Sequence, residues 1–401
     1  MRIDTIECFP VTLPIEAPIL TCYGSLATYS RTIIKITADN GLVGWGETSG
    51  RYKAPVFERF ARALRGSSPW DTTYATNRVK HWNYYPYEKP EPVMAAIEMA
   101  CLDLAGKAAG EPVWRLLGGR VQQRVPVAGY LFYRHANAEG HGEVHDVASL
   151  VAHARWQVER YGFGSLKLKG GYYPPETDRD ALEALRDSFG RDMRLRIDPQ
   201  GSWTPATAIR IGQDIDRLGL EYYEDPCWNA AGMAAVRARV RTPLATNMCV
   251  NQFEDLYPAV RMGAIDVVLA DPWYWGGMRA CIAADRACHT MGIDLGVHSG
   301  AELGIGWAAM LHLAVAMPSL RLAIDCMNIH LTDDILVGGK IDPVDGMAAP
   351  PDGPGLGIEV DEEKLARYGS LATSGQAVDR FLDPNLADSA RPGWHPSMPA
   401  W

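Results

Sequence analysis

No stretch of this chain approaches the roughly 18 consecutive apolar residues that a membrane-spanning helix requires, so a membrane partner is not expected. The opening run, MRIDTIECFPVTLP, lacks a charged-then-apolar leader with a small-residue cleavage site. Eight cysteines are scattered without one Cys-x-x-Cys pair, which reads as reduced, packed thiols in a cytoplasmic protein. Basic stripes interleaved with aromatics are also missing and the formal net charge is −9, so nucleic acid is not an expected partner. An acidic surface does not draw anions from afar, so any anionic substrate must be held by local lysines or a metal.

What is present is ordinary bulk with unusual punctuation. At 401 residues, 47% hydrophobic and 22% charged, the chain has room for a large core and more than one domain. Arg2 to Val11 alternates as a strand does. Thr32 to Thr37 and Leu42 to Glu47 flank an Asp39-Asn40-Gly41 turn and predict a hairpin. Between these elements Pro14 to Tyr29 shows no periodicity and reads as a loop. Helical patterning covers Pro55 to Leu64 and Pro92 to Lys107, where Val93, Ala96, Ile97, Ala100 and Leu104 share a face.

From Val125 the pattern becomes strand–helix alternation. Eight candidate strands end at Tyr130, Gly170, Asp198, Glu224, Asn247, Asp271, His298 and Asp325, with helices such as Thr204 to Arg217 and Met278 to Met291 between them. The fold class is therefore α/β, a modified (β/α)7β barrel with an α+β capping domain. Expected boundaries are 1–122 for the cap, 123–336 for the barrel, and 337–401 for a segment returning to the cap, with Trp394 and Trp401 over the first domain or a neighbouring subunit.

The strand ends carry chemistry. From Lys169, the residues Asp198, Glu224, Asn247, Asp271 and His298 follow at steps of about 23 to 29, the length of a strand, a helix and two turns. A barrel gathers such ends at one face. Asp198, Glu224 and Asn247 all offer oxygen, which suits Mg²⁺ better than zinc. One strand-end acid is as well explained as a helix cap; three on successive strands favour a metal. Lys167 and Lys169 share a strand face, and a lysine beside a cation and a second lysine should lose pKa toward neutrality and serve as a base. Asp271 would fix the tautomer of His298, leaving its other nitrogen to move a proton. His135, His141 and His145 read as an exposed loop rather than a second metal site, and His330 as a weak pocket candidate. Tryptophans 203, 228, 273 and 275 either wall the pocket or pack between loops.

At these residues the chain resembles the enolase superfamily, specifically its mandelate racemase-like branch and the glucarate dehydratase group. AIEMACLDLAGKAAGEPVWRLLGG (Ala96 to Gly119) is similar to the end of that family's capping domain, and KLKGG, IDPQGSW, EDPC, ATNM, ADPWYW and GVHS follow. The resemblance implies Mg²⁺ on Asp198, Glu224 and Asn247, the amide ligand pointing to the glucarate dehydratase group. It implies Lys169 as base with Lys167 as electrostatic partner, and His298 with Asp271 on the opposite face. Tyr130, Phe132, Gln200, Ser299 and Asp325 become substrate-binding positions. Departures fall on the distal contacts. Gln200 stands in place of Asn, Leu26 and Met327 each replace a His, and Gly300 replaces an Asn.

The expected function is Mg²⁺-dependent dehydration of an acid sugar, an aldarate or aldonate, through α-proton removal to an enediolate and loss of the β-hydroxyl. The expected partner is this small carboxylate, within a homo-oligomer. A racemase or epimerase using the same two bases is the main rival. A Schiff-base aldolase on Lys169 and a binding protein on a catalytic scaffold are more distant ones.

Overall fold

The computed structural model describes residues 1–50, 54–82, 89–374, 393, 395 and 397–401. The N-terminal strands β1 (Ile3–Thr21), β2 (Gly24–Ala38) and β3 (Val43–Ser49) form an antiparallel sheet in the order β1-β2-β3. Three helices follow: α1 (Ala54–Leu64), α2 (Thr72–Trp82) and α3 (Glu91–Ala109). One sheet face and these helices bury their own apolar cluster, including Ile34, Ile36, Phe57, Phe60, Val79 and Ile97. Gly46 lets β3 lie against α3, because a Cβ there would sit 2.1 Å from the Ala96 carbonyl oxygen. α3 ends at Gly110, whose φ of 69° is the left-handed cap glycine favours.

The expected loop from Pro14 to Tyr29 is instead paired strand. Ile19, Leu20 and Thr21 face Leu26, Ser25 and Gly24, after a register shift between Pro14 and Ile19. Burial does alternate there, with Ile15, Ala17 and Ile19 buried between half-buried Pro14, Glu16 and Pro18, but the two prolines make the run read as a loop. Bridges Ile15–Leu331 and Ile19–Arg134 pair the edge of this segment with the loops of the barrel.

After the short α4 (Val113–Leu116), eight parallel strands form the barrel wall: β4 (Val125–Leu131), β5 (Ser165–Lys169), β6 (Arg194–Asp198), β7 (Tyr222–Glu224), β8 (Leu244–Thr246), β9 (Val267–Ala270), β10 (Asp294–Val297) and β11 (Ile324–Asp325). Their order is β10-β9-β8-β7-β6-β5-β4-β11, and among the described residues no pairing joins β10 to β11. Helices α5 (Val147–Tyr161), α6 (Pro175–Phe189), α7 (Pro205–Ile215), α8 (Ala230–Arg237) and α9 (Phe253–Arg261) follow the first five strands. The one-turn α10 (Pro272–Trp275) and α11 (Met278–Thr290) follow β9, and the wholly buried α12 (Gly304–Ala316) follows β10. This is the expected (β/α)7β arrangement.

The chain then pairs β12 (Met347–Ala348) antiparallel to β4 and packs α13 (Glu362–Thr373) by the cap, where Glu362 meets Lys35 at 2.8 Å. The last described residues reach the barrel. Trp401 donates its indole N–H to the Gly171 carbonyl (3.0 Å), and its backbone pairs with Ser202 and Thr204 of the barrel. Trp394 lies outside the described residues. No disulfide joins any of the eight cysteines. Among the described residues no helix is long and apolar enough to cross a membrane.

Candidate active site

Every second residue of a strand faces inward, so the barrel interior is built in layers. Lys167, Arg196 and Tyr222 come two positions before Lys169, Asp198 and Glu224 on β5, β6 and β7. In the lower layer Lys167 bonds both Glu224 and Asp325, the latter at 2.6 Å. Arg196 reaches Asp325 at 3.5 Å and Glu221 at 2.6 Å. In the upper layer the Lys169 ammonium donates to Asp198 Oδ2, while the Gln200 N–H donates to Asp198 Oδ1 (2.7 Å).

Above these layers opens a cavity of about 250 Å³. Lys169, Asp198, Asn247 and His298 all line it, as do the expected Phe132, Gln200 and Ser299. The hairpin tip contributes Thr21, Tyr23 and Leu26, and the barrel loops add Met248, Tyr274 and Met327. The Tyr23 hydroxyl donates to the Gln200 carbonyl (2.8 Å), and the Cys22 N–H donates to Gln200 Oε1 (3.3 Å). Gln200, held at a φ of 59°, thus ties the cap to the barrel mouth.

Two expected substrate contacts do not reach the cavity. Tyr130 is completely buried, its ring 5.2 Å from Lys167 Nζ, and its hydroxyl donates to Asp325 (3.2 Å). Asp325 is spent on Lys167 and Arg196. Both residues lie against Lys167 instead of on the cavity wall. Ser299 lines the cavity, yet its hydroxyl donates to Glu302 (2.5 Å) and accepts from the Met327 N–H (2.9 Å). Lys167, expected as the electrostatic partner of Lys169, holds its proton. Burial opposes its charge, but Asp325 and Glu224 outweigh that and hold it well above the usual lysine range.

His298 and Asp271 meet as expected, Nδ1 to Oδ2 at 3.0 Å. Burial pushes Asp271 up to about 7. Its second oxygen accepts from the Tyr274 N–H (2.8 Å), so the helix-cap reading of a strand-end acid holds here too, beside the histidine bond. The three histidines at 135, 141 and 145 are exposed. Buried His330 stands edge-on to Phe132 at 5.5 Å, off the cavity wall. Of the four tryptophans none lines the cavity; Trp203, Trp273 and Trp275 are core, and Trp228 is 42% exposed.

Several supporting residues escaped sequence reading. Asp225, turned by a φ of 34°, accepts from Thr246 Oγ1 (2.5 Å) and from the Asn247 N–H (2.8 Å), fixing the loop that presents Asn247. Its place beside Glu224 in the EDPC motif was the available signal. Arg31 and Glu47 of the cap join at 3.1 Å, and Glu47 accepts from the Leu303 and Gly306 N–H groups near the start of α12. Burial pushes Glu47 up to about 8 despite Arg31. This network clamps the loop after His298, and nothing in the periodicity of β2 or β3 announces it.

Asp198, Glu224 and Asn247 end three successive strands and supply only oxygen, the donor set of a hard divalent cation. Glu224 is fully buried, its pKa raised by burial and by the neighbouring Asp198 charge. Its Oε1 has no hydrogen-bond partner among the described residues, which is costly unless a cation meets it. The residues therefore fit such an ion.

Known proteins share this design. Residues 3–118 match the family "Mandelate racemase / muconate lactonizing enzyme, N-terminal domain", and residues 149–364 match "Enolase C-terminal domain-like". A Streptomyces coelicolor protein named a probable glucarate dehydratase is 35% identical over 100% of this chain and 99% of its own. An enolase from Thermobispora bispora solved with magnesium and formate superposes with a TM-score of 0.89 at 38% identity, over 94% of this chain and 95% of that one. An enolase from Mycobacterium smegmatis solved with tartrate gives 0.91 at 36% identity, over 100% and 98%. The chain belongs to the enolase superfamily, in its mandelate racemase-like branch.

Proposed function

We propose that the protein is a Mg²⁺-dependent, cytoplasmic dehydratase of acid sugars, with the ion held by Asp198, Glu224 and Asn247. The observation that carries this reading is that Lys169 from β5 and His298 from β10 line one cavity together with Asp198 and Asn247. Strands β5 and β10 lie far apart in the sheet order, so the two proton-transfer groups approach a substrate from opposed sides. A bound Mg²⁺ would polarise the substrate carboxylate and offset the charge that develops on it.

A neutral Lys169 amine or His298 imidazole takes the α-proton, according to the configuration at that carbon. The C–H electron pair becomes the carbon–carbon double bond of an enediolate. Lys167, kept charged by Asp325 and Glu224, adds a fixed positive field below it. Protonated His298 then delivers a proton to the β-hydroxyl, the Cβ–O bond breaks, water leaves, and the enol tautomerises to a 2-keto-3-deoxy acid. Asp271 holds His298 in the required tautomer and stabilises its charged form.

A screen of aldonates and aldarates with Mg²⁺ should yield keto acid from at least one, and chelator should abolish it. No α-proton exchange into any acid would refute the proposal. The same opposed bases also support racemisation. Solvent deuterium in epimerised substrate without water loss would select that reading instead.

A further inference from the structure

Resting on the reading that Lys169 and His298 serve opposed faces, we infer that Arg31 of the cap is a positioning residue for the His298 face alone, so that cap docking sets the balance between the two proton-transfer groups. Arg31 lies on β2 and is 3% exposed. Its guanidinium stands between two fully buried carboxylates, Glu47 of β3 at 3.1 Å and Glu302 of the loop after β10 at 3.6 Å. Burial pushes both carboxyls up, and the Arg31 charge is what most opposes it. Three ionisable groups withdrawn from water are a poor source of stability, because desolvation consumes much of their attraction. Their contacts point to a different use.

Arg31 donates to the Gly300 carbonyl (2.8 Å), two residues beyond His298. Glu302 accepts from the Ser299 hydroxyl (2.5 Å) and from the Gly300 N–H. Glu47 accepts from the N–H groups of Leu303 (2.9 Å) and Gly306 (2.7 Å). The segment after Asp271 is held as well: the Trp273 ring lies 5.3 Å from the Arg31 guanidinium and donates its N–H to the Glu47 carbonyl (2.7 Å). The cluster thus grips the chain just past both members of the Asp271–His298 pair. Among the described residues no hydrogen bond or ion pair joins these three side chains to β5, β6 or β8, the strands that present Lys169, Asp198 and Asn247. The cap meets that side through other residues, Cys22 and Tyr23 on Gln200.

Two variants loosen the grip without removing a side chain. Arg31→Lys keeps the charge but loses the fork that spans Gly300, Glu47 and Glu302. Glu47→Gln keeps the shape but turns a donor toward the Leu303 or Gly306 N–H. Each is compared with the wild-type chain by solvent-deuterium exchange, with Mg²⁺ present, into C2-epimer pairs of pentose- and hexose-derived aldonates and aldarates, one epimer for each face. Mg²⁺ calorimetry and the ¹⁵N signals of the histidine rings are read in parallel, with His298 identified by its loss in His298→Asn. Both variants should lower exchange on the His298 face by about 10–100-fold and shift the His298 ring signals. The Lys169 face and Mg²⁺ affinity should stay within about twofold, as for sites without shared contacts. Equal loss on both faces, or unmoved His298 ring signals, would overturn the inference. Wild-type protein that exchanges no epimer would remove the dehydratase reading, and the ring signals alone would then decide whether Arg31 positions His298.

Discussion

Replacing Asp271 by Asn isolates one hydrogen on the imidazole of His298. The side chain keeps its size, and the oxygen that caps α10 can still accept from the Tyr274 N–H at 2.8 Å. The change falls on the other atom, 3.0 Å from His298 Nδ1, which becomes an amide donor. Turning the amide over would set two donors against each other at Tyr274, so the cap bond opposes that escape. Nδ1 must then accept, which forces the ring proton onto Nε2 and removes the lone pair that would take the α-proton. General base catalysis is worth about 10²–10⁴ in rate, so kcat should fall by that factor, roughly 3–5 kcal/mol of barrier. The fold should change by only about 1 kcal/mol. The assay uses an acid sugar whose α-proton faces His298, with deuterium exchange measured alongside keto-acid release. The wild-type rate should also fall as pH drops through about 7, where Asp271 gains a proton and ceases to be a charged partner for His298. A variant within about threefold of wild type would refute the tautomer argument.

Three further outcomes follow from other parts of the molecule. Asp225→Ala leaves Thr246 Oγ1 and the Asn247 N–H without their acceptor, and Mg²⁺ affinity by calorimetry should drop about 10–100-fold. Asp178, buried in α6 and raised to about 7 because desolvation outweighs its bond from the Gly171 N–H, binds its proton more tightly folded than unfolded. Its contribution to stability therefore declines as pH rises from about 4 to about 7, and Asp178→Asn should flatten that slope in denaturant titrations by up to roughly 3–4 kcal/mol. An unchanged slope would show the carboxyl to be hydrated. Gly46→Ala drives a Cβ to 2.1 Å from the Ala96 carbonyl oxygen, which is helix backbone and cannot swing aside. Thermal unfolding should register a loss of about 1–3 kcal/mol from the cap, and an unaltered midpoint would contradict the close packing of β3 on α3.

The barrel was legible because its wall obeys one rule. Short apolar runs such as RLRID and VVLAD end in a polar residue at regular intervals, and the strands they form stop within a residue or so of those ends. Asn247 and His298 were found by that rule alone. The hairpin from β1 to β2 was missed because Pro14 and Pro18 sit on its strand and read as loop, although burial alternates through Ile15, Ala17 and Ile19. Tyr130 and Asp325 were placed one layer too high: a strand end fixes which way a side chain points, not how deep it lies. The contact of Lys167 with Asp325, more than 150 residues away, is likewise absent from any local pattern. Arg31, Glu47 and Glu302 meet only through the docking of cap on barrel, a contact between distant segments that no local pattern encodes.

A crystal structure of the protein with Mg²⁺ and a non-reacting sugar acid bears most directly on the central claim. One ion should sit about 2.0–2.1 Å from side-chain oxygens of Asp198, Glu224 and Asn247, with Lys169 and His298 on opposite sides of the ligand's α-carbon. An ion held by other residues, or Lys169 and His298 on the same side of that carbon, would contradict it.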